Sequence, residues 1–351
     1  MNWEIVNTLK KYNKIILVWW GTGGHIQPIL SLVKILEREN IFKKWNFEWI
    51  GWEKSNEETY AKRSWIIFHT IPTIKISTTR SPKVLLYPIV LLSGIIQSRK
   101  ILKREIMREN ICVFSKGWPG SVAVGIAAWT LNIPLYIHES DTIPGRSNIL
   151  LWKIANKVFL GFEITKKYFH NKNISIVWQI IHPIFDKNNL KNAHFGLTWK
   201  TELPHILVIC GSQGAKSIFE AIWKQFQAVE DYEWIIALGK LNSDMQLSLS
   251  HISNMQAVEW IEQENIASLL KKTDISITRG SATTLAEIDT FWVRKIIVPL
   301  PHAASNHQYY NALEYEKKND IVLEQKNISE LSKIIYNYFS DAKSWKWEKT
   351  R

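Results

Sequence analysis

The fold of this chain is decided by residues 15–28, IILVWWGTGGHIQP, where an aliphatic run leads into a glycine-rich turn. The run at 15–18 is typical of a buried strand, and the apolar residues at helical spacing over 29–36 are typical of a helix. Glycines let the backbone turn tightly and approach a ligand, and the start of a helix offers free N–H groups. We therefore expect a strand, a turn and a helix that form the floor of an active site, where His25 supplies a titratable ring.

The same order of strand, glycine turn and helix occurs a second time, after a polar stretch at 186–202. Residues 205–210, HILVIC, lead into the turn at 211–217, GSQGAKS. Apolar runs that alternate with helical patterns are typical of a parallel sheet covered by helices on both faces. The chain is therefore predicted to be an α/β protein with two doubly wound, Rossmann-like domains and a ligand site beyond the carboxyl ends of the strands. The predicted strands are 15–18, 47–50, 66–68, 111–114, 135–138, 158–160, 205–210, 234–238, 256–260, 275–278 and 296–299, and the predicted helices are 28–39, 54–63, 84–108, 120–131 and 328–343.

Composition limits the class of protein. The 351 residues, 46% of them hydrophobic, are enough for two globular domains. A formal net charge of +12 suits anionic partners such as phosphates, nucleic acid or an acidic membrane surface. The basic residues are spread along the chain and form no nucleic-acid motif, so we do not expect nucleic acid to be a partner.

Cysteine content and the N-terminal pattern predict a cytoplasmic protein. Cys112 and Cys210 are the only cysteines and lie in apolar runs, which argues against a disulfide framework or a zinc site and fits a reducing compartment. The apolar run at 15–18 is too short for the core of a signal peptide, so export is not expected.

The longest apolar stretch, 84–96, is shorter than the roughly 20 residues that a membrane-spanning helix requires. Basic residues flank it, with Lys83 before it and several more at 99–104 after it. Two interpretations stay open. The segment either rests on an anionic bilayer surface or forms a buried core helix with a solvated tail.

Three further clusters have the side chains that a nucleotide sugar requires. The turn at 211–217 resembles a phosphate cradle, with small residues, free N–H groups and a hydroxyl at a helix start, and a tight turn without a ligand is the alternative. The cluster 278–287, TRGSATTLAE, could hold a sugar hydroxyl and present Glu287 to a ribose diol, unless Glu287 is only a solvated helix acid. The loop 299–312, rich in Asn, Gln and His, offers the paired donors and acceptors that polyols need. No Asp-x-Asp motif occurs in this half, so no obligatory protein-bound metal is expected.

Tryptophan is unusually frequent, with 18 residues against 15 glycines. A bulky side chain does not adopt a positive φ cheaply, and several tryptophans stand where the local pattern favours glycine. We therefore hypothesise that a UGA codon, read as glycine in the source, has been translated here as tryptophan. The alternative is a protein that is simply rich in tryptophan. The positions concerned are Trp19, Trp20, Trp52, Trp118, Trp178 and Trp292.

Together with residues 138–141, HESD, these motifs resemble the UDP-N-acetylglucosamine transferases of peptidoglycan synthesis, the MurG family, over about residues 14–335. The resemblance implies a GT-B fold with an acceptor domain at 1–180, which faces the membrane, and a UDP-sugar domain at 181–335 across a cleft. A C-terminal helix at about 336–351 is a candidate to pack back on the first domain.

The activity that the resemblance implies is an inverting, cofactor-independent transfer of N-acetylglucosamine (GlcNAc) from UDP-GlcNAc to the muramyl 4-hydroxyl of lipid I, which forms lipid II. The implied partners are UDP-GlcNAc, undecaprenyl-linked lipid I and an anionic membrane surface. The implied location is peripheral, at the cytoplasmic face of the cell membrane.

The resemblance also implies roles for single residues. His25 is the first candidate for the base, and Glu139 and Asp141 are alternatives that act directly or orient His25. The implied substrate-binding residues are Thr22, Gly23, Gly24, Asp141 and His182 in the first domain and Ser212, Gln213, Gly214, Ile261, Ala282, Thr284, Glu287, His307 and Gln308 in the second. Ser212 and Gln213 would contact the pyrophosphate, the Ile261 backbone the uracil, Ala282 and Thr284 the donor, Glu287 the ribose and Gln308 the sugar hydroxyls.

The chain departs from the family pattern at several of these positions. Asp141 replaces the usual Asn, His182 stands for a phosphate-binding arginine, and His307 with Gln308 stands for a Gln-Gln pair. Two other functions therefore stay open. One is another GT-B transferase, such as a diacylglycerol glycosyltransferase, and the other is a non-catalytic nucleotide-sugar-binding protein, which becomes attractive if the loop tryptophans are genuine.

Overall fold

The computed structural model describes residues 3–19, 23–52, 56–73, 86–117, 119–170, 173–186, 197–211, 213–226, 231–318 and 320–341, with the backbone alone at 23–26, 56–57, 119 and 341. The chain divides into two compact units, Met1–Pro183 and Ile184–Arg351. None of the described helices has the length and apolar character needed to cross a membrane.

The first unit is built on a seven-stranded parallel sheet. Its strands are β1 (Lys14–Val18), β2 (Phe47–Gly51), β3 (Ile67–Thr70), β4 (Ile111–Ser115), β5 (Leu135–Glu139), β6 (Lys157–Leu160) and β7 (Ile174–Ile176). Its helices are α1 (Trp3–Leu9), α2 (Gly23–Arg38), α3 (Asn56–Arg63), α4 (Tyr87–Ile106), α5 (Pro119–Thr130) and α6 (Arg146–Leu151). The strand order is β3-β2-β1-β4-β5-β6-β7, and every neighbouring pair is parallel.

The second unit has a six-stranded parallel sheet of the same design. Its strands are β8 (His205–Ile209), β9 (Glu233–Ala237), β10 (Met255–Val258), β11 (Ile275–Thr278), β12 (Arg294–Ile297) and β13 (Ile321–Val322). Its helices are α7 (Lys216–Gln225), α8 (Gln246–Ser250), α9 (Gln263–Leu270), α10 (Ala282–Asp289), α11 (His307–Glu316) and α12 (Leu331–Asp341). The strand order is β10-β9-β8-β11-β12-β13, again with parallel neighbours throughout.

Strand β1 shows why the aliphatic run decides the fold. All of its residues are buried, and successive side chains enter two separate hydrophobic cores on opposite faces of the sheet. Ile15 and Leu17 belong to one core, and Ile16 and Val18 belong to the other. A strand with helices on both faces needs apolar side chains in both directions, so it appears in the sequence as an unbroken aliphatic run.

Each strand and helix predicted from the sequence is present, with ends displaced by a few residues. Helices α1, α6, α8, α9 and α11 and strands β7 and β13 were not predicted. The two strands have only three and two residues, so their sequence patterns are too short to distinguish from loop.

Helix α12 packs within the second unit, and the C-terminal helix expected at about 336–351 is described only as far as residue 341. Its residues Leu331 and Ile335 are buried in the core of the second unit. The Tyr338 hydroxyl donates to the Asp274 carbonyl at 3.3 Å, also within the second unit. The described part of this helix therefore completes the second core, and residues 342–351 lie outside the described residues.

Each sheet has one point where its strand order reverses direction. The chain extends from β1 to β2 and β3 on one side and places β4 on the other, and the second sheet does the same between β8 and β11. In doubly wound sheets, ligands bind beyond the carboxyl ends of the strands at such a point. The two glycine turns follow β1 and β8, so both lie where a ligand site is expected.

Candidate active site

The carboxyl ends of β1, β4 and β5 lie side by side, because β4 pairs with both of the other strands. This edge brings together the start of α2 at Gly23, the residues that follow Ser115, and the residues Glu139 and Asp141. Gly23 and Gly24 form the first turn of α2. Thr22 and the side chain of His25 lie outside the described residues, so their predicted roles stay predictions.

The Glu139 carboxylate holds the loop that follows β5. It accepts hydrogen bonds from the backbone N–H of Asp141 at 2.9 Å, from that of Gly145 at 2.9 Å and from Asn148 Nδ2 at 2.8 Å. Burial and the neighbouring Asp141 charge raise the pKa of Glu139 to about 7, against the lowering effect of these three donors. The geometry makes Glu139 a clamp for the loop.

Asp141 occupies the tip of this clamped loop and is half-buried. Its carbonyl accepts a hydrogen bond from Thr165 Oγ1 at 3.1 Å, and its N–H is bound by Glu139, so the backbone of Asp141 is fixed on both sides. The Gln179 amide donates to the Ser140 carbonyl at 2.7 Å and fixes the preceding residue as well. The Asp141 carboxyl is thus presented from a rigid loop.

Lys116, directly after β4, is a buried cation at this edge that was not identified from the sequence. The side-chain Nζ of Lys116 lies 4.7 Å from the centre of the Trp19 ring. The backbone N–H of Lys116 donates to the Val18 carbonyl at 3.4 Å. Burial lowers the pKa of Lys116 to about 7, although the charges of Asp141 and Glu139 act in the opposite direction. The available signal was a lysine directly after a predicted strand, beside the strand that ends in Glu139.

In the second unit, the glycine turn after β8 packs directly on the neighbouring strand end. Gly214 has a φ of 75°, and a Cβ placed on it would lie 1.7 Å from the Leu238 carbonyl oxygen, so only glycine fits. Asn242 Nδ2 donates to the carbonyls of Gln213 at 2.9 Å and Leu238 at 3.0 Å. Gln213 is exposed, and Ser212 lies outside the described residues.

Helices α7 and α10 begin at this edge without side-chain caps. In the described part of each turn, neither Ala215 before α7 nor Ser281 before α10 makes a capping hydrogen bond. The first N–H groups of a helix have no partner within the helix and carry a partial positive charge. Both helix starts are therefore suited to receive an anionic group. Ala282 and Thr284 lie in the first turn of α10.

Glu287 lies one turn further along α10 and is buried. Burial raises the pKa of its carboxyl to about 8, and no described charge or hydrogen bond compensates for the loss of water. It is therefore not the solvated helix acid that the sequence left as an alternative. The structure places this acid at the same sheet edge as the glycine turn after β8.

The loop after β12 is joined to the start of α10 by a close backbone approach. A Cβ placed on Gly280 would lie 2.1 Å from the Gln308 carbonyl oxygen, and Asn311 Nδ2 donates to the Gly280 carbonyl at 3.1 Å. The Gln308 side chain accepts a hydrogen bond from the Leu300 N–H at 3.1 Å. His307 Nδ1 lies 2.7 Å from the Ala304 carbonyl oxygen.

Ile261 and His182 are the remaining predicted site residues that the structure describes. Ile261 is buried and follows β10, at the outer edge of the second sheet. His182 is half-buried just before the boundary between the two units.

Arg279 is a second buried cation that was not identified from the sequence. Its Nη1 donates to the carbonyl of Val298 at 3.1 Å and to Gln325 Oε1 at 2.9 Å, and its Nη2 donates to Ser217 Oγ at 3.2 Å. Because Ser217 is in the first turn of α7, this guanidinium connects the α7 start to the end of β12. The sequence feature that could have identified Arg279 is a single arginine directly after the predicted strand at 275–278.

The sequence matches the glycosyltransferase family 28 N-terminal domain over residues 15–160 and the glycosyltransferase family 28 C-terminal domain over residues 205–351. The two matched segments fall in the first and the second unit, respectively.

Curated relatives match across both units. A UDP-N-acetylglucosamine--N-acetylmuramyl-(pentapeptide) pyrophosphoryl-undecaprenol N-acetylglucosamine transferase from Sulfurihydrogenibium sp. (strain YO3AOP1) is 30% identical over 300 residues, which are 85% of this chain and 81% of that protein. A protein of the same name from Clostridium novyi (strain NT) is 31% identical over 333 residues, 94% of this chain and 90% of that protein.

Solved structures match in fold. The crystal structure of Acinetobacter baumannii MurG superimposes with a TM-score of 0.69 at 21% sequence identity, and the match covers 92% of this chain and 90% of that chain. The likeness supports the predicted α/β architecture with two Rossmann-like domains of the GT-B type.

Proposed function

The chain belongs to the MurG group of glycosyltransferase family 28, and we propose that it transfers GlcNAc from UDP-GlcNAc to the muramyl 4-hydroxyl of lipid I. The observation that carries this proposal is the edge of the second sheet, where two uncapped helix starts, a glycine turn and the buried Glu287 converge. We assign donor binding to the second unit and acceptor binding to the first.

The donor pyrophosphate fits the uncapped starts of α7 and α10. Each helix start concentrates free N–H groups and about half a positive charge, so fixed dipoles can neutralise two phosphates. Gln213 and Gly214 lie in the turn that leads into α7, Ser212 precedes them in the sequence, and Ala282 and Thr284 open α10. Arg279 acts as a positioning residue, because it fixes Ser217 in the first turn of α7.

The nucleoside and sugar are assigned to the remaining loops of this edge. The buried Glu287 carboxyl suits a ribose diol, because two hydroxyl donors would supply the hydrogen bonds that the protein does not. The Ile261 backbone is assigned to the uracil, and His307 and Gln308 are assigned to the sugar hydroxyls. This assignment predicts that Glu287 strengthens donor binding and that its burial lowers the free energy of unfolding.

The reaction is an in-line displacement at the anomeric carbon. The acceptor hydroxyl oxygen forms the new bond to this carbon, the bond to the UDP oxygen breaks with its electron pair moving to UDP, and the hydroxyl proton passes to a base. His25 is the proposed base, because an imidazole titrates near neutral pH. Asp141 is proposed to orient His25 or to take its place, and Glu139 to position the loop that carries Asp141.

The other first-domain residues complete the acceptor site in this proposal. Gly23 and Gly24 open α2, where free N–H groups suit the pyrophosphate of the lipid, and Thr22 directly precedes them in the sequence. His182 stands where the family has a phosphate-binding arginine.

Helix α4 is the proposed membrane contact. Ile89, Leu92 and Ile96 lie on one stripe of the helix and are 67%, 58% and 61% exposed. Lys100 and Lys103 continue the same stripe at helical spacing. An exposed apolar stripe that continues into basic residues suits an anionic bilayer surface, so we infer a peripheral location on the cytoplasmic face of the cell membrane.

UDP release from UDP-GlcNAc tests the proposal against the two other functions. We expect rapid release with lipid I and slow release without an acceptor or with diacylglycerol. Release with diacylglycerol in place of lipid I would indicate the other GT-B transferase. Tight UDP-GlcNAc binding with no release in any arm would indicate a binding protein and would contradict the proposal.

A further inference from the structure

Three tryptophans have a backbone conformation that tryptophan rarely adopts. Trp65, Trp178 and Trp292 have φ values of 59°, 60° and 60°. At these angles the Cβ of an L-residue crowds the following carbonyl oxygen, and glycine has no Cβ to crowd it. For a bulky residue a positive φ is an outlier. The other described non-glycine residues with a positive φ are all short and polar: Asn40, Asn132, Asn254, Ser305 and Asn306.

Trp65 lies at a helix end whose hydrogen bonds require a left-handed residue. After α3, the Ile66 N–H donates to the Ala61 carbonyl at 2.9 Å, and the Trp65 N–H donates to the Lys62 carbonyl at 3.1 Å. This pair of bonds is the Schellman motif, which closes a helix through a left-handed residue that is usually glycine and sometimes asparagine.

Helix α5 ends in the same motif with an acceptable residue in the same position. The Ile133 N–H donates to the Ala128 carbonyl at 2.9 Å, and the Asn132 N–H donates to the Trp129 carbonyl at 3.1 Å. Asn132 is therefore the structural equivalent of Trp65. The comparison within one molecule shows that the geometry is ordinary and that the residue type at 65 is the exception.

The other two backbones are also fixed in place. The Trp292 N–H donates to the Asp289 carbonyl at 3.0 Å in the turn that ends α10. The Trp178 carbonyl accepts a hydrogen bond from Nε2 of the buried His138 at 3.1 Å. These hydrogen bonds hold the backbone of both residues in the observed conformation.

Burial of the three indoles does not compensate for this strain. Trp65, Trp178 and Trp292 are 80%, 62% and 85% exposed, so little apolar surface leaves the water. Trp49 and Trp234 are the opposite case, because both are fully buried in strands and pack in the two cores.

We propose that residues 65, 178 and 292 are glycine in the protein that the cell makes, and that their codons are UGA, read as glycine by the source. Trp49 and Trp234 are genuine tryptophans encoded by UGG. Trp65 was not among the positions at which the sequence pattern favoured glycine. The backbone geometry that supports glycine at these three positions does not depend on the transferase reaction.

The structure also reduces the set of six tryptophan positions at which the sequence pattern favoured glycine. Neither Trp19 nor Trp52 has a positive φ, and Trp19 is buried in the first core, so the steric argument does not apply to them. Trp20 and Trp118 lie outside the described residues.

Peptide mass spectrometry of the protein isolated from its source cells tests the proposal directly. We expect glycine at 65, 178 and 292 and tryptophan at 49 and 234. The gene should carry UGA at the first three positions and UGG at the other two. Tryptophan in the native peptides at any of the first three positions would overturn the proposal.

Chemical denaturation of recombinant chains tests its physical basis. A chain with Trp65→Gly, Trp178→Gly and Trp292→Gly should have a higher urea midpoint than the chain with tryptophan at these positions. The matched control is Trp129→Gly, which also removes an exposed indole but places glycine inside helix α5, and its midpoint should fall. A triple variant with an equal or lower midpoint would overturn the steric argument.

Discussion

Glu287 is a carboxyl group whose pKa is raised to about 8 by burial. The ordinary pKa of a glutamate is about 4.3. Below that value the folded and unfolded states both carry the proton, and between about pH 4.3 and pH 8 only the unfolded state loses it. The contribution of Glu287 to the free energy of unfolding therefore falls by about 1.4 kcal/mol per pH unit across this range and is constant above it.

Glu287→Gln should remove this pH dependence, because the amide does not titrate. We expect the urea midpoint of the variant to exceed that of the parent at about pH 8 and to approach it at about pH 5. The affinity for UDP should fall roughly ten-fold, since the amide offers the ribose diol one acceptor oxygen and one N–H₂ donor in place of the two carboxyl oxygens. The exposed Glu330 supplies the control Glu330→Gln, which should change neither quantity. A Glu287→Gln midpoint that follows the parent at both pH values would contradict the burial argument.

Glu139 and Asp141 are expected to differ in how their replacement acts. Glu139→Gln replaces one carboxylate oxygen by an N–H₂ group, which then faces one or two of the three N–H donors and loses those hydrogen bonds, so we expect a loss of about 1–3 kcal/mol in the free energy of unfolding together with lower turnover. Asp141→Asn should lower turnover with less than about 0.5 kcal/mol change in stability. Urea denaturation and initial rates of UDP release measure both. Full stability with lost turnover in Glu139→Gln would instead place Glu139 at the reacting atoms.

At the scale of the element, helix α4 has two distinct faces. Gly94, Ser98 and Leu102 are buried against the first unit, while Ile89, Leu92 and Ile96 face outward. A Cβ on Gly94 would lie 2.9 Å from the Pro72 carbonyl oxygen, so the buried face packs closely. Within the part of the chain that the structure describes, the outward face has no such packing, which is the pattern expected of a helix that docks on another surface.

Replacing Leu92 and Ile96 by serine should weaken binding to vesicles that contain anionic lipid. Each buried aliphatic side chain contributes about 1.5–3 kcal/mol, so the double variant should bind at least ten-fold less tightly. Leu247→Ser is the control, because Leu247 is an exposed aliphatic residue on a different helix, α8. Vesicle sedimentation gives the affinities. Equal binding by the double variant and the control would contradict the assignment of α4 as the membrane contact.

The elements were predictable where the sequence pattern is local. Buried strands such as β1 need apolar side chains on both faces, and glycine turns such as that at Gly214 need a missing Cβ, so both leave a direct trace in the sequence. Lys116 and Arg279 were missed because their importance depends on contacts with residues distant in sequence, such as Trp19 and Ser217. Burial of a cation is a tertiary property that no local pattern encodes.

At the scale of the whole molecule, both units are built on a parallel sheet with the same change in strand order. In both sheets, the order in which strands are added changes direction at the strand that precedes a glycine turn, β1 or β8. This architecture was predictable from the alternation of strands and helices. The packing of α12 was not predictable, because an amphipathic helix can cover any apolar sheet face. Only the burial of Leu331 and Ile335 shows that α12 belongs to the second core.

Donor binding should leave a regional signature in hydrogen exchange. We expect saturating UDP to slow amide exchange at 211–217 and 280–287, because their free N–H groups would meet the pyrophosphate and the ribose. Strands β2 and β3 of the first unit provide the internal control and should not change. Slowed exchange confined to the start of α2 would instead move the donor site to the first unit.

The configuration of the new glycosidic bond tests the central claim most directly. Incubation with UDP-α-GlcNAc and lipid I, followed by NMR of the extracted lipid, should show GlcNAc joined through a β bond to the muramyl 4-oxygen. A lipid that carries GlcNAc through an α bond, or free GlcNAc in place of a lipid product, would contradict the proposed inverting transfer.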